Sequence, residues 1–327
     1  MKQSALATPL ATSFAALRAE DAFHADVLSG LGRRPRRLPP KYFYDAQGSQ
    51  LFDRICALPE YYLARAELAI LRAHADEIAE LVGPRALLVE LGSGSSIKTR
   101  LLLDQLRHPA GYVPVDIARG HLAASVQALQ RDYPGLRIAP VCADFTRAFS
   151  LPATAPLAAA RRRVAFFPGS TIGNLDPSEA ALLLRRLRRL VGHGGGLVIG
   201  VDLKKESALL EAAYNDAQGV TAAFNLNLLL RINRELDGDF DPDSFAHLAF
   251  YNFQLGRVEM HLLSLRDQLV SVARRRLSFR RGETIHTENS YKYVPEDFAC
   301  LAAGAGFAVR RSWYDCDGLF AVMYLEA

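Results

Sequence analysis

The sequence has little of what marks secreted or membrane-bound proteins. Its 327 residues include four cysteines, and no two of these form a C-x-x-C pair. In a chain of this length, isolated cysteines indicate reduced, mostly buried thiols of a cytoplasmic protein. No apolar run approaches the roughly 18 residues that a membrane-spanning helix requires. Residues 1–17 lack the sustained apolar core of a secretion signal, so we expect a cytoplasmic location and no membrane partner.

Lysine is also scarce, because six of the 39 basic residues are lysine and the rest are arginine. With 35 acidic residues the formal net charge is +4, which gives no strong indication of a polyanionic partner. The arginine clusters are dispersed and lack interleaved aromatic residues, so we interpret them as solvated helix faces and loops and expect no nucleic-acid partner. The clusters lie at residues 33–37, 161–163, 185–189 and 274–276.

Residues 67–204 alternate between helical and strand-like apolar patterns. Strands that alternate with helices predict a parallel sheet covered on both faces. Polar residues just after the strands fit the carboxyl edge of such a sheet. The predicted helices cover residues 67–82, 99–106, 118–132 and 178–191, the last with Asp176 as a cap, and the predicted strands cover residues 86–90, 112–116, 137–142, 164–167 and 197–201.

Residues 205–291 interrupt this alternation and indicate a second α+β unit inserted in the first. The C-terminal region then returns to a helix and a strand hairpin. Because a hairpin closes the parallel sheet, we predict that its last strand is antiparallel. The interrupting segment has a helical stretch at 207–233 and strand-like runs at 250–253, 257–264 and 269–277, and the C-terminal region has a helix at 295–303 and strands at 307–314 and 319–325.

The strongest local motif is LLVELGSGSSIKT, which predicts a strand, a glycine-rich turn and a helix. Gly92 and Gly94 allow the backbone to approach a ligand closely, and the helix that follows presents free N–H groups. A dinucleotide fingerprint needs a small residue where Ile97 stands. A P-loop for a nucleoside triphosphate matches Gly92 and Lys98 but needs glycine in place of Ile97, so this alternative stays open.

S-Adenosylmethionine (SAM) is the third ligand that this motif fits. Its ribose offers two hydroxyls to a carboxylate, and its sulfonium is positively charged. Glu90 precedes the turn, Asp116 ends the next strand, and Asp144 and Phe145 follow the third strand. Residues at successive strand ends of an open sheet converge on one crevice. Phe145 can pack near an adenine ring.

Other enzyme classes lack their characteristic motifs. The string GSTIG at residues 169–173 has serine at the wrong position for a nucleophile elbow. The eight histidines include no H-E-x-x-H pattern, so we predict no catalytic metal.

Five strings together resemble the histidine-specific Nα-methyltransferases of ergothioneine biosynthesis. They occur in the order seen in that family, and the similarity runs from about residue 20 to the C-terminus. The resemblance implies three successive methyl transfers from SAM to the α-amine of L-histidine, which give the betaine hercynine. The strings are LPPKYFYDA (38–46), LPEYY (58–62), ELGSGSS (90–96), GSTIGNL (169–175) and GVTAAFN (219–225).

The same resemblance assigns roles to single residues. Tyr44 and Asn174 lie at the reacting amine, and Glu288 with Ser290 binds the imidazole ring. Tyr44 and Phe224 offer aromatic walls to a methylated ammonium. The implied cofactor-binding residues are Glu90, Gly92, Gly94, Lys98, Asp116, Asp144 and Phe145, and the implied substrate-binding residues are Tyr61, Asn174, Tyr214, Phe224, Met260, Glu288 and Ser290.

Methylation of an amine explains why these residue types are suitable. A protonated amine has no lone pair, so the site must orient a neutral amine toward the methyl group. Hydroxyl and amide oxygens orient an amine without retaining its proton as a carboxylate does. We therefore expect positioning rather than a strong general base. The chain differs from the family pattern at Asn289 and Tyr291, where smaller or apolar residues are usual.

These observations lead to one prediction of fold and function. The fold class is α/β, a doubly wound Rossmann-like sheet of seven strands with an antiparallel last strand, plus a discontinuous second α+β domain. Residues 67–204 and 292–327 are expected to bind SAM, and residues 1–66 and 205–291 to bind the amino acid. We expect a monomer. The alternatives are an Nα-methyltransferase of another amino acid and a P-loop-type nucleotide binder.

Overall fold

The computed structural model describes residues 9–94 and 96–327 in two compact units. The larger unit contains Tyr44–Phe224, Ala249–Met260 and Asn289–Ala327. The smaller unit contains the described chain up to Phe43, with Asn225–Leu248 and His261–Glu288. Two features of the sequence analysis fall outside the described residues, namely Ser95 of the glycine-rich turn and the first eight residues of the segment searched for a secretion signal.

The described elements follow the chain in this order. The helices are α1 (Pro9–Gly32), α2 (Ala46–Cys56), α3 (Tyr62–Val82), α4 (Ile97–Leu103), α5 (Arg119–Asp132), α6 (Pro177–Val191), α7 (Ser207–Tyr214), α8 (Val220–Leu236) and α9 (Pro295–Ala303). The strands are β1 (Arg36–Arg37), β2 (Ala86–Leu91), β3 (Gly111–Asp116), β4 (Val141–Cys142), β5 (Arg162–Phe167), β6 (Gly196–Asp202), β7 (Phe245–Asn252), β8 (Arg257–Ser264), β9 (Gln268–Val272), β10 (Arg275–Phe279), β11 (Thr284–Tyr291), β12 (Ala308–Tyr314) and β13 (Phe320–Glu326).

A seven-stranded sheet forms the centre of the larger unit, in the order β12-β13-β6-β5-β2-β3-β4. The pairs from β6 to β4 are parallel, whereas β13 is antiparallel to both β6 and β12. Strands buried on both faces need nearly continuous apolar sequences. Every residue of β2 is buried, and so is every residue of β6. The predicted α/β class, strand number and antiparallel last strand are therefore confirmed.

The strand order reverses direction at β2. From β2 the chain moves to β3 and β4 on one side, and it then returns to β5 and β6 on the other. Ligands of open α/β sheets bind outside the carboxyl ends of the strands at such a reversal. The glycine-rich turn follows β2 directly, so it lies at this position.

Two predicted elements are shorter or divided. The strand predicted over residues 137–142 is reduced to β4 and a single bridge between Ile138 and Tyr112, because Pro140 has no N–H to donate to the ladder. The helix predicted over residues 207–233 is two helices. Gly219 has φ of 68° between them, and the Asp216 carboxylate caps α8 by accepting the N–H groups of Val220 and Thr221, each at 2.8 Å.

Two further regions differ from the prediction, because one has a turn without glycine or asparagine and the other is a buried strand with a mostly polar sequence. The run predicted over residues 269–277 is the antiparallel hairpin of β9 and β10. Its turn residues Ala273 and Arg274 have φ of 47° and 65°, values that glycine or asparagine usually supplies. Strand β11 was not predicted, because its sequence TIHTENSY is mostly polar, yet residues 287–290 are all buried.

The smaller unit has its own aromatic core. Phe240, Phe245 and Phe279 meet edge to face, with ring centroids 5.5 to 6.0 Å apart. The buried Arg36 guanidinium lies 4.2 Å from the Phe279 ring centroid and donates to the Glu283 carboxylate at 2.8 Å. Strand β1 pairs in parallel with the first half of β11 through Arg36 and Arg37.

Two expectations drawn from absences can be compared with the described residues. None of the helices in residues 9–94 and 96–327 is both long and apolar enough to cross a membrane. The four cysteines are free thiols, but the expectation that most are buried is wrong. Cys142, Cys300 and Cys316 are exposed, because they lie on an edge strand, on the outer face of α9 and in the final hairpin turn.

Candidate active site

The glycine-rich turn brings several of the predicted cofactor residues together. Gly92 and Gly94 have φ of 69° and 46°, the left-handed region that glycine adopts readily. The Gly94 N–H donates to the Asp116 carboxylate at 3.3 Å, and the Ser125 hydroxyl donates to the Gly94 carbonyl at 2.7 Å. A Cβ atom added to Gly92 would lie 3.8 Å from the Phe145 ring. The turn, the end of β3 and the Phe145 ring are therefore neighbours.

The turn also holds two hydroxyls without a partner. Ser93 and Ser96 are buried, and neither hydroxyl has a hydrogen-bond partner in the part of the chain that the structure describes. Buried polar groups are normally satisfied, so unsatisfied ones indicate a ligand or water. Polar atoms beside two left-handed glycines and a carboxylate fit the polar amino-acid and ribose groups of SAM.

Glu90 lies under the turn rather than on its surface. Its carboxylate is 1% exposed and accepts hydrogen bonds from the hydroxyls of Thr99, at 2.7 Å, and Tyr112. Burial raises the pKa of the Glu90 carboxyl to about 8, although both hydroxyls oppose this shift. Glu90 thus links β2, β3 and α4 from below.

Lys98 is held by a glutamate that the sequence analysis did not identify. Its ammonium lies 2.5 Å from the buried Glu67 carboxylate on α3. Burial is the largest single influence and lowers the pKa of Lys98, but Glu67, Cys56 and Glu90 together raise it by more, and the net shift is upward. Glu67 also accepts the Gly169 N–H at 2.9 Å. These bonds connect the helix after the glycine-rich turn with the loop after β5.

Asp144 and Phe145 occupy the loop after β4. The Asp144 carboxylate accepts the N–H of Thr146 at 2.9 Å and its hydroxyl at 2.5 Å, which fixes the loop. Phe145 packs edge to face on Phe167, with ring centroids 5.4 Å apart. The carboxyl edge of the sheet thus carries an ordered acid and an aromatic ring beside Gly92.

A cluster of five aromatic rings brings together three of the predicted substrate-binding residues and Tyr44, which was predicted to lie at the reacting amine. We call it the aromatic cluster. Tyr44 and Phe224 meet edge to face at 5.8 Å, and Tyr61 meets Tyr214 at 6.2 Å. Phe52, which the sequence analysis did not identify, contacts Tyr44, Tyr61 and Phe224 and connects the two pairs. Phe52 lies on α2, and no other candidate site residue lies one helical turn away from it, so the sequence gave no indication of its role.

Tyr214 connects the aromatic cluster to a buried polar network. Its hydroxyl donates to the Ser290 hydroxyl at 2.7 Å, and the Lys292 ammonium donates to both, at 3.1 and 2.8 Å. Lys292 also pairs with Asp202 at 2.6 Å. Burial is the largest single influence and lowers the pKa of Lys292, but Asp202 and Tyr214 together outweigh it, so the pKa is above its usual range.

Asp202 has two further partners. Tyr62 donates its hydroxyl to both carboxylate oxygens at 2.8 Å, and Lys205 pairs with it at 2.6 Å. Burial lowers the pKa of Lys205 to about 8, with Asp202 opposing the shift. The sequence analysis missed Asp202, although a polar residue at the end of a predicted strand was the signal that identified Asp116.

Asn174 lies beside the end of β11 because of the glycine that precedes it. A Cβ atom at Gly173 would lie 2.8 Å from the Tyr291 carbonyl oxygen, so this approach requires glycine. Asn289 and the Tyr291 hydroxyl both donate to the Asp176 carboxylate, at 3.0 and 3.2 Å. The two departures from the family pattern therefore attach β11 to the cap of α6.

Glu288 and Met260 lie on strands. Glu288 is buried in β11, and because side chains alternate along a strand it shares a face with Ser290. Met260 is buried in β8.

Comparisons with known proteins agree on one family. A family model described as a SAM-dependent, histidine-specific methyltransferase matches residues 23–327. The chain is similar to histidine N-alpha-methyltransferases of Mycobacterium tuberculosis, 45% identical over 93% of this chain and 95% of the relative, and of Mycolicibacterium smegmatis, 43% identical over 96% and 97%. It is also 30% identical to the ergothioneine biosynthesis protein 1 of Neurospora crassa over 85% of this chain and 32% of that longer protein.

Proposed function

This chain belongs to the family of SAM-dependent, histidine-specific methyltransferases, and from that premise we propose that it converts L-histidine into hercynine. Three successive methyl groups are added to the α-amine, as the first step toward ergothioneine. The aromatic cluster carries the proposal, because four residues that the family resemblance assigns to the substrate contact one another in it and Ser290 is hydrogen-bonded to it.

The glycine-rich turn is the proposed cofactor site. Asp116 would bind the ribose hydroxyls, Phe145 would contact the adenine, and the hydroxyls of Ser93 and Ser96 supply unsatisfied polar atoms. When bound, SAM supplies an electrophilic methyl group on a positively charged sulfur. Lys98 and Glu90 support the turn from within the protein, since each is bonded to a buried partner.

The proposed roles of Tyr44 and Asn174 follow from the nucleophile. The neutral amine needs its lone pair for the new N–C bond, so the site must leave that lone pair free and accept hydrogen bonds from the N–H groups of the amine. A phenol oxygen and an amide oxygen do this without holding the proton as a carboxylate would. Each transfer releases one proton from nitrogen to water. Alignment of this kind can supply several kcal/mol of the rate acceleration.

The product becomes larger and loses its N–H groups with each transfer. A trimethylated ammonium can no longer donate hydrogen bonds, so aromatic faces are suitable partners for it. The rings of Tyr44 and Phe224 meet edge to face and provide such faces. The aromatic cluster thus supports three transfers rather than one.

Glu288, Ser290 and Met260 complete the proposed site. Glu288 would accept a ring N–H of histidine and Ser290 would bind the other ring nitrogen, with Met260 in the wall. Such partners reject apolar side chains, because a buried polar group without a partner costs about 1–3 kcal/mol. The proposal includes a cytoplasmic monomer that needs no nucleic acid or membrane, and the four free thiols support the location.

A panel of amino acids tests the reaction. The purified chain is incubated with SAM and each amino acid, and the products are read by mass spectrometry. We expect mono-, di- and trimethylated histidine in sequence. Faster methylation of tryptophan or tyrosine would contradict the substrate and favour the alternative Nα-methyltransferase.

Calorimetry tests the cofactor independently of the substrate. We expect S-adenosylhomocysteine, the demethylated product, to bind and ATP not to bind. Binding of ATP without S-adenosylhomocysteine would favour the P-loop alternative.

A further inference from the structure

Lys292 is a buried charge that the proposed mechanism leaves without a role. Its side chain is fully enclosed, and its three N–H groups have three acceptors. These are the Asp202 carboxylate at 2.6 Å, the Ser290 hydroxyl at 2.8 Å and the Tyr214 hydroxyl at 3.1 Å. Because an ammonium only donates, it fixes both hydroxyl oxygens as acceptors toward itself.

The bond between the two hydroxyls also has a direction. The Tyr214 and Ser290 hydroxyl oxygens lie 2.7 Å apart, and we assign Tyr214 as the donor because a phenol is more acidic than an aliphatic hydroxyl. The Ser290 oxygen therefore accepts two hydrogen bonds, from Lys292 and Tyr214, and both of its lone pairs are used. Its own proton must point to a third group.

That third group is not found among the residues that the structure describes. Ser290 is 3% exposed, and no acceptor for its proton occurs within residues 9–94 and 96–327. A buried donor without an acceptor costs free energy, so the Ser290 proton indicates a ligand atom with a lone pair.

We propose that Lys292 is a positioning residue that makes Ser290 an obligatory hydrogen-bond donor to the unprotonated ring nitrogen of the substrate. This inference rests on the proposed function, in which Ser290 faces the imidazole. Without the ammonium, one lone pair of the Ser290 oxygen is free, so Ser290 can accept a hydrogen bond from a ligand instead of only donating one. Lys292 would then select side chains that carry an acceptor without contacting them.

Two analogues of histidine test this assignment. A pyrrolylalanine keeps a ring N–H but replaces the acceptor nitrogen by C–H, and histidinol keeps the imidazole but lacks the carboxylate. We expect wild-type kcat/KM to fall by at least about 100-fold for the pyrrolylalanine, as for sites that hydrogen-bond a buried substrate group. In Lys292→Met we expect this preference for histidine to shrink to about 10-fold or less.

Lys205→Met provides a matched control. Lys205 also pairs with Asp202, at 2.6 Å, but its other recorded bonds go to Tyr62 and to the Leu203 carbonyl. The substitution Lys205→Met therefore removes a positive charge beside the same carboxylate and leaves the Tyr214–Ser290 hydroxyl pair unchanged. We expect Lys205→Met to keep the wild-type preference for histidine over the pyrrolylalanine.

Binding of S-adenosylhomocysteine reports whether each variant is folded. If Lys292→Met does not bind S-adenosylhomocysteine, the double variant Asp202→Asn/Lys292→Met is used in its place, because removing both charges avoids an unpaired buried carboxylate. The same loss of preference is expected there.

The outcomes separate this inference from the proposed function. A wild-type protein that does not methylate histidine contradicts the proposed function. A wild-type protein that does, with a Lys292→Met variant that keeps the full preference over the pyrrolylalanine, contradicts only the role of Lys292. If Lys292→Met instead loses the wild-type discrimination against histidinol, the Ser290 proton is assigned to the substrate carboxylate, and the ring-nitrogen assignment is overturned.

Discussion

Glu90 is a carboxyl group whose surroundings favour its neutral form. Burial raises its pKa to about 8, whereas an unfolded glutamate titrates near 4.3. Between these values the folded protein holds a proton that the unfolded chain releases. The contribution of Glu90 to the free energy of unfolding therefore falls as pH rises through this window, by about 5 kcal/mol at most.

Glu90→Gln should remove this pH dependence. We expect the free energy of unfolding of the variant, relative to that of wild type, to be higher at pH 8 than at pH 5.5, because only wild type loses stability between these pH values. Urea unfolding at the two pH values measures this. Glu80→Gln is the control, because Glu80 is exposed and its substitution should leave the pH dependence unchanged. If the free energy of unfolding of Glu90→Gln differs from that of wild type by the same amount at both pH values, Glu90 is ionised in the folded protein and the prediction is wrong.

Substitution of Glu288 should weaken mainly the binding of histidine, and substitution of Asp116 should weaken mainly the binding of S-adenosylhomocysteine. Glu288→Ala removes the proposed acceptor for the imidazole N–H, so KM for histidine should rise by about 10- to 100-fold while the affinity for S-adenosylhomocysteine changes by less than about 2-fold. Asp116→Ala should weaken S-adenosylhomocysteine binding and leave KM for histidine nearly unchanged. Kinetics and calorimetry on both variants, with exposed Glu296→Ala as control, measure this. Equal losses in both assays would indicate a structural role for Glu288.

At the scale of elements, the approach of the loop after β5 to β11 depends on one glycine. A Cβ atom at Gly173 would lie 2.8 Å from the Tyr291 carbonyl oxygen and 3.2 Å from its nitrogen. Gly173→Ala must therefore separate the loop from the strand and displace Asn174. We expect kcat/KM for histidine to fall by about 10- to 100-fold, because small displacements of positioning groups are costly.

Gly120→Ala is the matched control for this prediction. Gly120 lies in α5, and no atom lies within 4 Å of an added Cβ, so alanine should be neutral or slightly stabilising there. Affinity for S-adenosylhomocysteine should be nearly unchanged in both variants. Wild-type kcat/KM in Gly173→Ala would contradict a positioning role for this loop.

The elements that the sequence predicted well are those with strong apolar periodicity. Strand β2 and helix α6 were predicted within one or two residues, because their buried faces follow the expected repeat. Strand β11 was missed because its buried side chains are polar and bind partners far along the chain, such as Asp176 for the Asn289 amide N–H. Burial of that kind depends on tertiary contacts, which local sequence patterns do not contain.

At the scale of the whole molecule, the same limit applies to the site. The acids at strand ends and the glycine turn were predictable, because topology alone brings strand ends together. Lys292 and Glu67 were not, because each acquires its role from a partner far along the chain, Asp202 and Lys98. The family resemblance identified residues of the aromatic cluster, whereas periodicity alone would have assigned them to the core.

The four thiols allow a test of the fold as a whole. Cys142, Cys300 and Cys316 are exposed, whereas Cys56 lies half-buried at the end of α2, where burial raises its pKa to about 11. Only the thiolate reacts, so at pH 8 Cys56 should react at least about 100-fold more slowly than an ordinary thiol. Mass spectrometry during labelling should therefore give three fast additions and one slow one. In denaturant all four should react quickly, and a fast reaction of Cys56 in the native protein would contradict the packing of α2.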